Sequence, residues 1–208
     1  MSSKALIIDA GVGNLGNLAR AVRYAGTDCE ITREPSRIAA GRCLLLPGVG
    51  AFRPPRETLR GPMEGALNEA LAAGAWLLGI CVGYQLLFEA GEEHGASDGL
   101  GLLPGVVQRL PEAIGEAPVA LPHIGWNRLR YRRPHALFEG IPDGSYFYFV
   151  HSYAPIEIDS GAALATAEHG AAFVAVAGRD RVLGTQFHPE KSGHHGLRLL
   201  ANYLGMAS

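Results

Sequence analysis

Cys81 stands in Gly79-Ile80-Cys81-Val82-Gly83, between an apolar run and a segment with helical character. Trp76-Leu77-Leu78-Gly79-Ile80 reads as a short buried strand, and Tyr84-Gln85-Leu86-Leu87-Phe88-Glu89 as the first turns of a helix. A residue in the sharp turn between two such elements is strained and exposed at the carboxyl edge of a sheet. Small residues two places before and after it let strand and helix pass closely. This is the thiol form of a nucleophile elbow, with Cys81 as nucleophile. The helix N-terminus behind it, with free N–H groups and a dipole, favours thiolate over thiol. On its own the pentapeptide fits a small buried cysteine as well, so a base elsewhere in the chain must decide.

Val182-Leu183-Gly184-Thr185-Gln186-Phe187-His188-Pro189-Glu190 supplies one. Its first six residues read as a strand, which Pro189 ends by withholding a ladder donor. His188 then projects from a strand end, where the active-site groups of open α/β sheets collect. In extended chain, residues i and i+2 point the same way, so Glu190 reaches the His188 imidazole. A carboxylate on one ring nitrogen fixes the tautomer and leaves the other as a base toward the thiol. His188 alone would pass for a surface histidine; cysteine, histidine and carboxylate at strand ends together point to catalysis.

Acyl transfer also needs two N–H donors for the developing oxyanion. The N–H of Val82, just after the nucleophile, is the natural first. Pro47-Gly48-Val49-Gly50 ends a third strand and exposes backbone amides, so Val49 or Gly50 is the candidate second; an ordinary Pro-Gly turn fits the tetrapeptide equally. His151 follows an aromatic strand without a carboxylate two places on and reads as structural. His188, His194 and His195 lack the partners of a metal site, so no metal is expected. Gly11-Val12-Gly13-Asn14-Leu15-Gly16 matches a dinucleotide fingerprint with Glu30 and Glu34 downstream, but Asp9 puts a carboxylate near the pyrophosphate position. No cofactor is therefore expected.

The elements that must position these residues alternate in the first half. Strands fall at Ala5–Asp9, Cys29–Thr32, Cys43–Leu46 and Trp76–Ile80. Helices fall at about Asn17–Ala25, stopped by Gly26, and through Met63, Ala66, Leu67, Ala70 and Leu71, closed by Gly74. Such alternation marks a parallel sheet covered on both faces. From Gly105 to about Tyr131, short β pieces (Val106–Arg109, Asn127–Leu129) are broken by Pro111, Pro118 and Pro122. Strands recur at Tyr146–Val150, Ala163–Thr166, Phe173–Val176 and Val182–Phe187. A closing helix carries Leu197, Leu200, Ala201 and Leu204 on one face. The expected fold is α/β: an open, mostly parallel twisted sheet flanked by helices, with mixed or antiparallel strands added in the second half.

At 208 residues, 48% hydrophobic and 18% charged, the chain fits one globular domain over 1–208. The stretch Met1-Ser2-Ser3-Lys4-Ala5-Leu6 lacks the apolar core of a signal peptide, and no run has the length of a membrane span. Cys29, Cys43 and Cys81 cannot all pair within the chain and form no C-x-x-C, which fits a reducing compartment; the cytoplasm is the expectation. A net charge of −2 gives no nucleic-acid footprint, and Arg128, Arg130, Arg132 and Arg133 around Tyr131 read as a solvated strand edge.

With these residues assembled, the chain resembles the class I glutamine amidotransferases, an open α/β sheet carrying a Cys–His–Glu triad. Within them it looks like the glutaminase subunits of imidazole glycerol phosphate synthase, from histidine biosynthesis. The resemblance is carried by Asp9-Ala10-Gly11-Val12-Gly13-Asn14, Pro47-Gly48-Val49-Gly50-Ala51-Phe52, the elbow through Phe88, Pro122-His123-Ile124-Gly125-Trp126-Asn127, Tyr148-Phe149-Val150-His151-Ser152-Tyr153 and Gly184 to Ser192. It implies hydrolysis of glutamine to glutamate and ammonia, with ammonia passing to a (βα)₈-barrel cyclase in a heterodimer. It places Cys81, His188 and Glu190 in the triad, Gln85, Ser152 and Tyr153 on glutamine, and Asn14, Trp126, Tyr148 and Lys191 at the partner interface. The chain departs from the family pattern at Ala10, usually tyrosine, at Val82-Gly83-Tyr84, more typically Leu-Gly-Met, and at Pro54-Pro55 in the loop after the oxyanion turn. Competing functions are the glutaminase of an anthranilate-type or pyridoxal-phosphate-type synthase, a cysteine peptidase, and a dinucleotide-binding module.

Overall fold

The computed structural model describes residues 4–156, 158 and 161–208. The stretch weighed against a signal peptide begins with Met1, Ser2 and Ser3, which lie outside the described residues. Along the first half the elements are β1 (Ala5–Ile8), α1 (Leu15–Tyr24), β2 (Cys29–Thr32), α2 (Pro35–Ala40), β3 (Cys43–Gly48), α3 (Arg53–Leu59), α4 (Pro62–Ala72), β4 (Trp76–Cys81) and α5 (Val82–Gln85). The buried residues of β1, β3 and β4 form near-continuous apolar runs because both faces of each strand are covered.

An eight-stranded sheet runs in the order Arg130–Tyr131, Ala163–His169, Ala171–Arg179, Val182–Thr185, β4, β3, β1, β2. The last five strands are mutually parallel, and the first three join antiparallel. The expected parallel sheet with antiparallel additions is what forms. Since β1 lies between β2 and β3, α1 and α2 lead the chain in opposite directions across the sheet. Right-handed crossovers therefore put them on opposite faces. In keeping with this, α1 packs with α6 (Gly193–Met206), while α2 packs with α4.

The buried stripe of α6 is Gly196, Leu199, Leu200, Tyr203 and Leu204, whereas Leu197 and Ala201, expected on that face, are only partly buried. Tyr203 decides the rotation: its hydroxyl donates to the Leu44 carbonyl at 2.6 Å inside the core. Pro54 and Pro55, expected in a loop, open α3. The first helical turn has N–H groups without intrahelical partners, so proline is tolerated there.

Two further pieces wall the site. His123–Arg128 pairs antiparallel with Tyr146–His151 as a two-stranded ribbon, Trp126 opposite Tyr148. Its inner face buries His123, His151, Phe147 and Phe149. Its outer face leaves Ile124, Trp126 and Tyr146 at 60%, 55% and 46% exposure. A small sheet joins Tyr153–Pro155, Val106–Arg109, Ala90–Gly91 and Ser97–Asp98. Arg128, Arg130, Arg132 and Arg133 are exposed along or beside the Arg130–Tyr131 edge strand, as expected of a solvated edge. Among the described residues no helix is long and apolar enough to cross a membrane.

Candidate active site

Strand register brings the chemistry together. Gly48, the last residue of β3, pairs with Cys81, the last of β4, and Thr185 pairs with Ile80 from the other side. The turn after Gly48, the elbow and the segment leading to His188 thus leave the sheet side by side at its carboxyl edge. β3 runs to Gly48, two residues past the expected end at Leu46, so Pro47 sits inside it. The register of β3 with β1 stops at Leu45, so beyond it Pro47 is paired on the β4 side.

At the elbow, Cys81 has φ 55° and ψ −111°, a backbone that a side chain rarely adopts. The small neighbours are required by contact. A Cβ on Gly79 would lie 2.7 Å from the Gly83 carbonyl oxygen, and one on Gly83 only 1.8 Å from that of Leu46. The helix behind the elbow is shorter than the sequence suggests: α5 is one turn, and the chain then bends through Leu86–Phe88. The elbow therefore works through its strain and close packing, with little helix dipole behind it.

Cys81 is only 3% exposed, because it opens onto a recess instead of the outer surface. That recess, about 420 Å³, is lined by Val49, Gly50, Cys81, Val82, Gln85, Ser152, Tyr153 and His188, together with Glu93, His94, Arg109, Pro122, Val150 and His151. The candidate nucleophile, the candidate base, the oxyanion candidates and the expected glutamine contacts all share it.

The strand leading to His188 ends at Thr185, short of the expected Phe187, and Pro189–Lys191 form a 3₁₀ turn. Glu190 therefore reaches His188 through that turn and not through extended chain. Its Oε1 is 2.8 Å from His188 Nδ1, with both side chains buried. Ser192 Oγ donates to the His188 carbonyl at 2.7 Å and accepts the Tyr148 N–H at 2.9 Å, tying the turn to the ribbon. Nε2 of His188 is buried without a conventional hydrogen bond among the described residues, and Cys81 is one of the groups that act on the imidazole.

Burial alone would lower the His188 pKa. Hydrogen bonding and charge from Cys81 and Glu190 outweigh it and raise the pKa from the ordinary 6.5 to about 9. The folded chain thus prefers protonated His188. The corresponding stabilisation is full below pH 6.5 and is lost as pH climbs through about 9. The melting temperature should accordingly decline over that interval, and less steeply in Glu190→Gln, which removes one of the two groups raising the pKa. Differential scanning fluorimetry across this range checks it; a steeper decline in the variant would contradict the assignment.

Two contributors, Gln186 and Glu93, were not singled out in the sequence. Gln186 is fully buried; its Nε2 lies 4.0 Å from Cys81 Sγ, and its Oε1 accepts from Gln85 Nε2 at 3.2 Å. Gln85 Nε2 also donates to the Tyr153 carbonyl at 2.8 Å, so Gln85 presents its side-chain oxygen to the recess. Glu93 enters from the loop after Ala90–Gly91 and accepts the Phe52 N–H at 2.8 Å. The one local hint was the polar run Glu92-Glu93-His94 between Gly91 and Gly95; periodicity does not see it.

The remaining sites separate. His151 is buried with both ring nitrogens engaged, and burial lowers its pKa to about 3, so it is no base. In the glycine-rich first turn, Asp9 Oδ1 accepts the Gly11 N–H at 2.9 Å while Oδ2 pairs with Arg33 at 2.9 Å. A carboxylate thus occupies an amide that a phosphate would need. Asn14 caps α1 through the Asn17 N–H. Trp126 and Tyr148 are in edge contact, ring centroids 6.1 Å apart, on the outer ribbon face, and Lys191 lies in the adjoining 3₁₀ turn. Among the described residues no group of three or more histidine, cysteine or acidic side chains could hold a metal.

The family model "Glutamine amidotransferase class-I" matches residues 6–205. The chain is 44% identical over 198 residues to the imidazole glycerol phosphate synthase subunit HisH of Moorella thermoacetica, covering 95% of this chain and 92% of that one. It is likewise 44% identical over 205 residues to the HisH subunit of Geobacillus kaustophilus, covering 97% and 96%. Among solved structures, a glutamine amidotransferase superposes with a TM-score of 0.74 at 20% identity, over 97% of this chain and 98% of the other. PurLQS from Thermotoga maritima gives 0.73 at 16% identity over the whole of both chains. These two likenesses concern the fold.

Proposed function

We propose, for a chain that belongs to the class I glutamine amidotransferases and, within them, to the HisH subunits of imidazole glycerol phosphate synthase, that Cys81, His188 and Glu190 form the triad releasing ammonia from glutamine. The enzyme is a glutamine amidotransferase. The observation that carries the triad is the shared recess of Cys81 and His188, with Glu190 bonded to the far nitrogen of the same imidazole.

The Cys81 sulfur attacks the side-chain amide carbon of glutamine, forming a C–S bond. The carbonyl oxygen takes the negative charge against the N–H of Val82 and one from Val49 or Gly50. His188 passes its proton to the amide nitrogen as the C–N bond breaks, and ammonia leaves. A water then gives a proton to His188 and attacks the thioester; the C–S bond breaks, releasing glutamate and regenerating the sulfur. Glu190 holds the ring orientation and its positive charge throughout. Gln85, Ser152 and Tyr153 hold the glutamine.

The ammonia passes to a (βα)₈-barrel cyclase bound as a heterodimer partner, in the cytoplasm, the whole chain acting as one glutaminase domain. The exposed ribbon face around Trp126 and Tyr148, beside Lys191, and Asn14 at the end of α1 meet that partner. An apolar, aromatic face of this kind suits a protein interface. Ammonia release from glutamine, measured with and without the cyclase and its nucleotide substrate, tests both levels. Expected is a low rate alone and a large increase in the complex. No ammonia in either condition would sink the triad; equal rates would sink the coupling.

A further inference from the structure

Beneath the ribbon two buried histidines stand outside the chemistry above, and their hydrogen bonds leave no freedom in where the protons lie. His151 Nδ1 is 3.0 Å from the Tyr153 carbonyl oxygen. A carbonyl only accepts, so Nδ1 carries the hydrogen and Nε2 of neutral His151 is an acceptor. His123 Nδ1 lies 3.0 Å from that Nε2 and must donate to it. His123 Nε2 is then the acceptor for Asn127 Nδ2 at 3.2 Å. Asn127 is itself oriented by the backbone, donating to the Glu168 carbonyl at 2.8 Å and accepting the Arg128 N–H at 2.7 Å. Along the path from Asn127 through His123 and His151 to Tyr153, each hydrogen bond is donated in the same direction.

Protonating either ring would set two N–H groups face to face. Burial opposes this first: His123 is lowered to about 4, with His169 adding to the effect, and His151 to about 3, with charge on His123, His169 and His188 also acting on it. His123 is further held by stacking on Phe149 and His169, at centroid distances of 5.0 and 4.1 Å.

The chain ends where the substrate must sit. The Val150 carbonyl is 3.9 Å from Cys81 Sγ, and Val150, Ser152 and Tyr153 all line the recess. The Tyr153 carbonyl that receives His151 also receives Gln85, which continues to Gln186 beside the nucleophile. We propose that His123 and His151 are positioning residues for amide hydrolysis, a one-directional pair of neutral imidazoles, both in the Nδ1–H tautomer, pinning segment 150–153 to Gln85 and the nucleophile. The inference rests on the glutaminase reading of the recess and adds what holds its substrate wall.

The test has two arms. Nitrogen NMR of the uniformly labelled wild-type chain should show both rings as Nδ1–H tautomers, the less common form of free imidazole, without titration near pH 6.5. Kinetics with the cyclase present should then compare His123→Phe, which keeps the ring stack but donates nothing, with His123→Asn, whose amide can replace the Nδ1 donor. His123→Phe should raise the KM for glutamine about tenfold or more, the scale of one buried hydrogen bond and its unpaired partner. His123→Asn should recover most of that loss. A merely structural role would lower kcat through fewer folded molecules and leave KM alone; that result overturns the proposal, as does an Nε2–H tautomer at either ring. A wild type active on glutamine with an unchanged His123→Phe refutes this inference only, whereas a wild type inert toward glutamine brings down the proposed function and this inference with it.

Discussion

Cys81→Ala is expected to give a folded chain that releases no measurable ammonia from glutamine. Alanine keeps the Cβ, so the elbow keeps its backbone strain of about 1–3 kcal/mol, already borne by the surrounding packing. Only the sulfur is lost, and the cavity left beside an existing recess costs about 1 kcal/mol. The chemistry has no such reserve. Ser152 also lines the recess, but its hydroxyl belongs to the segment beyond Val150 and lacks the elbow's position between two strand ends. By analogy with other nucleophile–histidine sites, the rate should fall on the order of 10⁴-fold or more. Ammonia release, a thermal melt and binding to the cyclase should be measured on one preparation. Activity within about tenfold of wild type would remove Cys81 from the role.

Gly83→Ala should fail in stability and activity together. The new methyl would stand 1.8 Å from the Leu46 carbonyl oxygen and 2.7 Å from its carbon. Both atoms are backbone in a central strand, so no side chain can swing aside. Relief requires β3 to separate from the elbow, which also displaces the turn offering Val49 and Gly50. A cost of about 3 kcal/mol or more is expected, roughly 10 °C in melting temperature for a chain of this size, with activity falling well beyond the loss of folded protein. Gly65→Ala is the matched control: it lies exposed within α4 with nothing within 4 Å of the added carbon, and should stabilise by about 0.5–1 kcal/mol. A Gly83→Ala chain with wild-type melting and rate would show that the close approach does not matter.

What was legible along the chain was local. The alternating elements of the first half come through because apolar periodicity and glycine stops are readable without knowledge of neighbours. The elbow was readable for the same reason: its two glycines, its cysteine and its preceding strand are contiguous. The middle of the chain was harder. His123 and His151 lie 28 residues apart and become a pair only through the register of the ribbon. Arg53–Leu59 hid its helix behind two prolines, and α5 stopped after one turn because Leu86–Leu103 fold back on themselves through backbone hydrogen bonds. The contact of Glu190 with His188 was anticipated, but by the wrong local geometry, since a 3₁₀ turn also brings a carboxylate two residues on within reach.

The amino-acid order by itself determined that a thiol would be held in a strained strand-to-helix turn, and that an imidazole with its own carboxylate would follow a late strand. Tertiary structure alone decided that the late strand lies directly beside β4, with Thr185 opposite Ile80, and that β3 lies on the other side, with Gly48 opposite Cys81. The physical reason is that strand order is a long-range choice. Local pattern states which residues must be buried, while the neighbours that bury them are chosen by which apolar faces and backbone ladders fit together across the whole sheet.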